Sequence, residues 1–384
     1  MELIALKMLV GDRAKYLAMI MGVVFASMLI TQQEAIFCGI MARTCSAITD
    51  TGLPDIWVMD EKVQFIDDTK PLQDTELYRV RGVSGVQWAV PFYKGLLKSR
   101  MDDGSFQSCN VFGLDDATLI GGPPEMVVGE LANLRRADGV IVDVVGAADK
   151  LARHDANGKP IPLKQGDILE LNDHRAVVVG ICRTSRTFQS QPVIYTTYSR
   201  ATLFAPRERK LLSFVLVKAK PGVDRAALCE RIKSVTGLGA LGRDEFRWKT
   251  MLYFMKNTGI PINIGIGMIM SFVVGTAICG QTFYSFTLDN LKYLATLKAM
   301  GASNFRLLAM ITLQALLVAT IGFGVGVGMA SSIGKIFGGR TELAFLLPWQ
   351  ALVITAGVVV VIVVISSIFS IHRVIRLEPA IVFK

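Results

Sequence analysis

Clustered metal ligands and catalytic motifs are missing from this sequence. Its three histidines are scattered, and none of its six cysteines forms a C-x-x-C pair, so it indicates neither a zinc site nor a thioredoxin-like redox centre. It holds no H-E-x-x-H motif, no Ser-His-Asp order and no conspicuous pair of carboxylates. We therefore predict that the chain is not an enzyme and binds no metal or cofactor of its own.

Charge is also scarce, and no long run of one sign occurs. Charged residues make up 19% of the chain, against ~25% in ordinary soluble domains. The net charge of +9 comes from basic residues interleaved with acidic ones, and no like-charged run exceeds a pair such as Arg135–Arg136. Nucleic-acid binding would need a basic patch combined with aromatic side chains, so we exclude it.

Two glycine-rich stretches match parts of nucleotide-binding motifs but lack the required context. "GLGALG" (Gly237–Gly242) fits G-x-G-x-x-G, yet it follows a helical pattern where the dinucleotide fingerprint needs a strand. "GMASSIGK" (Gly328–Lys335) has one residue too many for a phosphate-binding P-loop. We expect no nucleotide on this chain by either route.

Apolar residues make up 52% of the chain and are concentrated in four stretches. A helix that spans a bilayer needs ~20 mostly apolar residues. The charge-free stretches are Tyr16–Gln33, Gly259–Phe286, Leu307–Gly334 and Leu343–Ile371. They predict an α-helical membrane protein with four transmembrane helices and a mixed α/β domain inserted between helices 1 and 2. A cleaved signal peptide is the alternative for the first stretch, but no A-x-A site follows it, and we favour an uncleaved anchor.

Basic residues beside these stretches predict the orientation, because short loops rich in lysine and arginine stay in the cytoplasm. They flank the N-terminus, the loop after the second span and the C-terminus, at Lys7, Arg13, Lys15, Lys292, Lys298, Arg306, Arg373, Arg376 and Lys384. Both termini are therefore predicted to be cytoplasmic, with the large domain periplasmic in a bacterial inner membrane. The predicted segments are 1–15 (cytoplasmic, amphipathic), 16–40 (first span and start of a stalk), 41–256 (periplasmic α/β domain), 257–286 (second span), 287–306 (cytoplasmic helix loop), 307–334 (third span), 335–346 (short periplasmic loop), 347–371 (fourth span) and 372–384 (cytoplasmic tail).

The region between the first two spans has patterns of both strands and helices. "DIWVMD" (Asp55–Asp60) alternates like a strand, and "GDILELNDHRAVVVGICR" (Gly166–Arg183) predicts two strands around a tight turn. A strand, a Pro-Gly turn and an amphipathic helix follow in "LLSFVLVKAKPGVDRAALCERIKSVTG", and the apolar face of the helix would hold Ala227, Leu228, Ile232 and Val235. The oxidising compartment predicts a disulfide among Cys45, Cys109, Cys182 and Cys229, with its pairing open.

Small and polar residues inside the spans indicate helix contacts. Gly322 with Gly326, and Gly324 with Gly328, form two G-x-x-x-G pairs, which let helices approach closely. They predict packing within the chain, with a dimer contact as the alternative. Glu34 lies near the outer end of the first span, where we expect a solvated stalk; an intramembrane carboxylate would instead indicate function.

The stretch "SFVVGTAICGQTFYSFTLDNLKYLATLKAMGASNFRLL" resembles the FtsX/MacB superfamily of ABC transporter permeases. Its "ATLKAMGAS" core is most similar to the DevC-type branch, the permeases of heterocyst glycolipid exporters. Weaker pieces extend the resemblance over the whole chain: the "IALKMLVGDRAKYLAMIMGVVFA" start, "DIWVMD", "KPGVD" and the "RVIRLEPAIVF" tail.

This resemblance implies a permease dimer that works with a separate cytoplasmic ATPase, which holds ATP and Mg²⁺. It also implies a stalk that carries the periplasmic domain, and membrane lipid around the spans. The further partners that it implies are a periplasmic membrane-fusion adaptor and an outer-membrane channel. ATP-driven motion of the ATPase would then be transmitted mechanically, and the substrate would not cross through the spans. The sequence leaves the substrate open.

The helix predicted from about Asn290 to Met300 would then be the ATPase contact. Leu294, Leu297 and Met300 would be anchors in a groove of the partner, and Gly301 would end the helix as its cap. Lys298 and Ala302 complete the predicted contact. An amphipathic helix that merely lies on the membrane is the alternative.

Two related functions stay open beside export. A lipoprotein-releasing permease of the same superfamily would extract lipidated proteins, and an FtsX-like regulator would activate a cell-wall hydrolase mechanically. Neighbouring genes would separate them, because an adaptor, a lipoprotein carrier or a hydrolase would accompany each in turn.

Overall fold

A computed structural model describes residues 13–155, 159–206, 212–340 and 343–375. The chain divides into two compact units. We call residues 1–40 with 259–384 the helical unit, and residues 41–258 the sheet unit. The predicted N-terminal segment up to residue 12 and the predicted tail from residue 376 lie outside the described residues.

The secondary-structure elements follow the order of the sequence. The helices are α1 (Arg13–Thr44), α2 (Ser46–Asp50), α3 (Asp74–Arg81), α4 (Val144–Ala148), α5 (Tyr198–Phe204), α6 (Arg225–Thr236), α7 (Arg243–Asn257), α8 (Ile260–Asp289), α9 (Leu291–Ala299), α10 (Asn304–Arg340) and α11 (Trp349–Ile375), with a 3₁₀ turn at Leu131–Arg135. The strands are β1 (Ile56–Met59), β2 (Val86–Arg100), β3 (Phe106–Leu114), β4 (Glu125–Val128), β5 (Gly139–Asp143), β6 (Arg153–His154), β7 (Pro160–Ile161), β8 (Ile168–Leu171), β9 (His174–Arg183), β10 (Val193–Thr197), β11 (Phe214–Ala219) and β12 (Gly239–Gly242).

Four helices of the described chain, α1, α8, α10 and α11, are long and apolar enough to cross a membrane, as the sequence predicts. They share one buried cluster, to which α1 contributes Met19, Val23, Ala26 and Ile30. Large apolar side chains on the other faces stay exposed, as with Ile262 at 69%. Apolar side chains of this kind suit contact with lipid. Helices can span hydrocarbon because their backbone polar groups form hydrogen bonds within the helix.

In the described part of the sheet unit, ten strands form one sheet. Their order is β12-β1-β11-β2-β3-β10-β5-β9-β4, with β8 paired to β2 and β9. The pairs β3–β10 and β5–β9 are parallel, and the other pairs of this sheet are antiparallel. The predicted mixed α/β domain between the first and second spans is therefore confirmed.

Both faces of the sheet are covered near β1, which corrects the predicted alternation of "DIWVMD". All four residues of β1 are buried. Trp57 lies in one core cluster, at ring distances of 5.6 Å from Phe92 and 5.4 Å from Phe214, while Ile56 and Val58 belong to the cluster on the other face. A strand between two neighbours with both faces packed has no solvent side, so its pattern is continuous rather than alternating.

Local turn chemistry explains the structure of two further stretches of the sequence. Leu171 pairs with His174 across the tight turn between β8 and β9, and Asn172 and Asp173 have φ of 49° and 65°, values that asparagine and aspartate tolerate better than most residues. "GLGALG" forms the left-handed cap of α6 at Gly237 and then the edge strand β12.

The predicted helix α6 is present, but its buried face differs from the prediction. Leu228, Cys229, Ile232 and Thr236 are buried, whereas Val235 is 58% exposed and Ala227 is exposed too. The face is therefore rotated toward Cys229 and Thr236. Cys229 and Thr236 pack beneath the helix, whereas the sequence pattern predicted that Ala227 and Val235 would do so.

The predicted disulfide is wrong, because all six cysteines are free thiols in this structure. The four candidates are buried in three core clusters: Cys45 and Cys182 in one, Cys109 in a second and Cys229 in a third. Each fills a core position as a small apolar residue, which is common for free cysteine.

These buried thiols should resist alkylation in the folded protein. Burial, with a smaller contribution from Asp143, raises the pKa of the Cys109 thiol to about 12, and burial raises the pKa of Cys229 to about 11. The reactive thiolate of Cys109 is then about one part in ten thousand at pH 8. We expect iodoacetamide at pH 8 to label Cys109 only after denaturation, as read by mass spectrometry without reductant. A disulfide-linked peptide, or rapid labelling of the native protein, would contradict this.

Candidate functional site

The segment between α8 and α10 forms the short helix that the sequence predicts. α9 runs from Leu291 to Ala299, within a residue of the predicted limits. Asn290 marks the break from α8, since its side-chain amide donates to the Phe286 carbonyl (2.9 Å) and its own carbonyl accepts from the N–H of Leu294 (3.1 Å). One residue thus closes a long helix and opens a short one.

A glycine-based cap ends α9, as predicted. Gly301 has φ of +92°, and its N–H donates to the Lys298 carbonyl (3.1 Å) while the Ala302 N–H donates to the Leu297 carbonyl (3.0 Å). This pair of bonds is the Schellman motif, which satisfies carbonyls at a helix end and reverses the chain. Glycine suits the position because side chains are strained at positive φ.

The apolar face of α9 packs inside the chain, which changes the role predicted for its leucines. Leu294 is 4% exposed and contacts a cluster with Leu307 and Ile311 of α10. Leu297 and Ala302 are partly buried against the same cluster. The predicted partner anchor Leu294 is therefore occupied within the chain, because the tight turn folds α9 back onto the start of α10.

Three large side chains remain exposed on α9, its cap and the first turn of α10. Tyr293 is 64% exposed, Met300 71% and Phe305 80%. Tyr293 and Met300 are seven residues apart, which places them two turns apart on the same helix face. Aromatic and methionine side chains are enriched in protein interfaces. We therefore treat Tyr293, Met300 and Phe305 as candidate contact residues and call them together the exposed face.

The sequence prediction included Met300 but missed Tyr293 and Phe305. The spacing of Tyr293 and Met300 could have shown that they share a face. Of the other predicted contact residues, Gly301 is exposed and Lys298 is half-buried. Contact of this segment with an ATPase stays a prediction.

The glycines of α10 fall into two pairs with opposite surroundings. A Cβ at Gly322 would lie 2.6 Å from the Val23 Cβ, and one at Gly326 would lie 2.7 Å from the Val24 carbonyl oxygen. Around Gly324 and Gly328 no such atom lies within 4 Å. The first pair is thus packed against α1, and the second pair lies on an open face of α10.

Polar groups join α1 to the later helices at two levels. The Ser27 hydroxyl donates to the Gly322 carbonyl (3.2 Å), beside the packed glycines. Further along, the Thr355 hydroxyl of α11 donates to Glu34 Oε2 (2.6 Å), and Glu34 is only 5% exposed. The expected solvated stalk at Glu34 is therefore wrong, because α11 covers this face of α1.

Comparison with known families agrees with this architecture. The family described as MacB-like periplasmic core domain matches residues 17–235. The chain belongs to the MacB-like periplasmic core family. The family described as FtsX-like permease C-terminal matches residues 265–379, which include α9 with its glycine cap. The resemblance to the FtsX/MacB superfamily is confirmed.

Relatives of this MacB-like chain are named as permeases. It is 24% identical to an uncharacterized ABC transporter permease of Mycobacterium tuberculosis over 312 residues, covering 81% of this chain and 78% of the relative. It is 27% identical to one of Mycobacterium bovis over 221 residues, covering 57% and 58%. The periplasmic region of MacB from Actinobacillus actinomycetemcomitans shares 16% identity at a TM-score of 0.35, over 54% of this chain and 95% of that chain.

Together, the family and the four helices define the protein as an ABC transporter permease of the FtsX/MacB family. It is a multi-pass membrane protein with an extracellular domain.

Proposed function

We propose that this permease is the transmembrane subunit of a MacB/DevC-type exporter. A separate cytoplasmic ATPase, with its ATP and Mg²⁺, binds the exposed face formed by α9, its cap and the start of α10. The observation that carries the proposal is this face: Tyr293 of α9 and Met300 of its cap are exposed while Leu294 fixes the other side of α9, and Phe305 is exposed at the start of α10. These three large apolar side chains could insert as anchors into a groove on the partner.

Two contacts of the segment support such a transmission. The Schellman cap fixes the turn after α9, and the cluster of Leu294, Leu307 and Ile311 ties α9 to α10. Force on the exposed face therefore reaches α8 and α10 without being absorbed by a flexible loop. Two residues separate the end of α7 in the sheet unit from the start of α8, and α1 runs past residue 40 to Thr44, so both connections between the units are short or helical along the chain.

In this proposal both termini and α9 are cytoplasmic, and the sheet unit is periplasmic, in a bacterial inner membrane. Two permease chains form a homodimer, and the sheet unit passes the movement to a membrane-fusion adaptor and an outer-membrane channel. The substrate leaves through that assembly rather than between the spans.

A reconstitution experiment tests whether ATP hydrolysis requires the separate ATPase. The permease is purified alone and together with the ABC ATPase encoded beside its gene, both in lipid nanodiscs. We expect hydrolysis of ATP only when the ATPase is present, with a rate that changes when the permease is bound, because this chain contributes no P-loop. ATP hydrolysis by the permease alone, or an ATPase that never associates with it, would contradict the proposal.

A further inference from the structure

The sheet unit holds a cavity of about 700 Å³. This volume lies in the range of ~300–1,000 Å³ that is usual for small-molecule sites. The cavity lies beside β2 and β3, under two loops that precede α3 and β10. Its wall combines acidic, basic, amide and aromatic side chains, chiefly Phe65, Asp67, Lys94, Asn110, Phe188 and Phe254.

A buried lysine forms part of the cavity wall. Lys94 of β2 is 6% exposed, and its ammonium pairs with Asp67 Oδ1 and lies 6.0 Å from the centre of the Phe112 ring. Ser213 fixes the strand there, since its hydroxyl accepts from the Lys94 N–H and donates to the Lys94 carbonyl, both at 3.1 Å. Lysine is rarely buried so deeply unless it is paired, so the identity of its partner matters.

The partner of Lys94 is placed where it could be exchanged. Asp67 belongs to the loop before α3, and its side chain is 45% exposed. The next residue, Asp68, already pairs with Lys70 at 2.9 Å. Asp67 is therefore the group with which an incoming anion would compete for the Lys94 ammonium, because its carboxylate already reaches water.

The rest of the wall suits an amphiphilic molecule. Asn110, 8% exposed, donates its amide to Gln191 Oε1 at 3.2 Å, so amide groups line the same cavity as the lysine. The rings of Phe188 and Phe254 are 5.0 Å apart. They form an apolar surface in the same cavity.

We propose that this cavity binds an amphiphilic anion, with its carboxylate or phosphate on Lys94 and its apolar part against the phenylalanines. A lysine ammonium is a common point-charge partner of phosphate, and burial among apolar groups strengthens that attraction relative to water. The anion replaces Asp67 and releases its loop. Binding needs no ATPase, so this inference stands or falls separately from the proposed export function.

The test measures binding of hexanoate and hexyl phosphate to the full chain in a non-ionic detergent by isothermal titration calorimetry. Heat from empty micelles is subtracted, and inorganic phosphate tests the head group alone. We expect saturable binding of both amphiphiles, weaker binding of free phosphate, and a loss of at least about tenfold in Lys94→Met, because a charged hydrogen bond is removed. The matched control is Lys98→Met on the same strand, since Lys98 lies 5.9 Å from the Phe106 ring but is exposed.

A second variant should change the binding affinity in a direction that a purely structural ion pair would not produce. Asp67→Asn removes the competing carboxylate while Lys94 stays, so both amphiphiles should bind about two- to fivefold more tightly. This variant also serves if Lys94→Met fails to fold. Absence of saturable binding to the wild type, equal effects of the two lysine variants, or weaker binding to Asp67→Asn would each overturn the proposal.

Discussion

Replacing Met300 or Phe305 by glutamate should release the ATPase while the permease stays folded in the membrane. Both side chains are mostly exposed, at 71% and 80%, so the chain itself loses little packing. In a complex they would be desolvated, and a carboxylate buried there without a partner is unfavourable. Anchor residues of interfaces cost about 2 kcal/mol or more when lost, which corresponds to about thirty-fold weaker binding.

The measurement is recovery of the ATPase with each tagged permease variant at matched membrane levels. Met300→Leu and Phe305→Leu are the controls, because they keep an apolar side chain without adding charge. We expect near wild-type recovery with these two and strong loss with the glutamate variants. Full ATPase recovery with both glutamate variants would show that the segment lies on the membrane surface and does not bind the ATPase.

Leu294 and Gly301 should behave differently from the exposed face. Leu294→Ala removes a side chain that packs on Leu307 and Ile311, so it should lower thermal stability and weaken ATPase binding only indirectly. Gly301→Val places a β-branched residue at φ of +92°, a strain of ~1 kcal/mol or more. These variants separate damage to the turn from loss of the contact itself.

The features that could be predicted from the sequence are those set by one local requirement, such as apolar surroundings or a positive φ. Lipid requires long charge-free helices, so the four spans could be recognised, and the cap at Gly301 could be predicted because glycine readily takes positive φ. The helix ends were less accurate. α10 continues to Arg340, beyond the predicted limit at residue 334, because a lysine ends a lipid-facing stretch without ending a helix.

Features that depend on packing partners could not be read in the same way. The periodicity of α9 shows an apolar face, but it cannot show that Leu294 meets α10 rather than another protein. Glu34 looked solvated because nothing near it in sequence reveals Thr355, 321 residues away. Lys94 likewise resembles an outward-facing strand residue, and its partner Asp67 lies in a loop 27 residues away.

The two glycine pairs of α10 should differ sharply when each glycine is changed to valine. At Gly322 and Gly326 the new side chain would meet Val23 or the Val24 carbonyl of α1, and the backbone of a neighbouring helix cannot move aside cheaply. Overpacking of this kind costs about 1–3 kcal/mol. Gly326→Val would also crowd Ser27, which donates to Gly322. We expect lower yields of inserted protein and a lower melting temperature for both variants.

Gly324→Val and Gly328→Val are matched controls on the same helix, since the space beside these glycines is open. Their melting temperatures, measured by fluorescence-detected size-exclusion chromatography after heating, should stay close to that of the wild type. The elution position in the same experiment tests the second role of these glycines. If the open face of α10 meets another permease chain through small residues, valine at Gly324 or Gly328 should shift the dimer toward the monomer without lowering stability. Equal destabilisation by all four variants would mean that the glycines act through helix flexibility rather than through contact with α1.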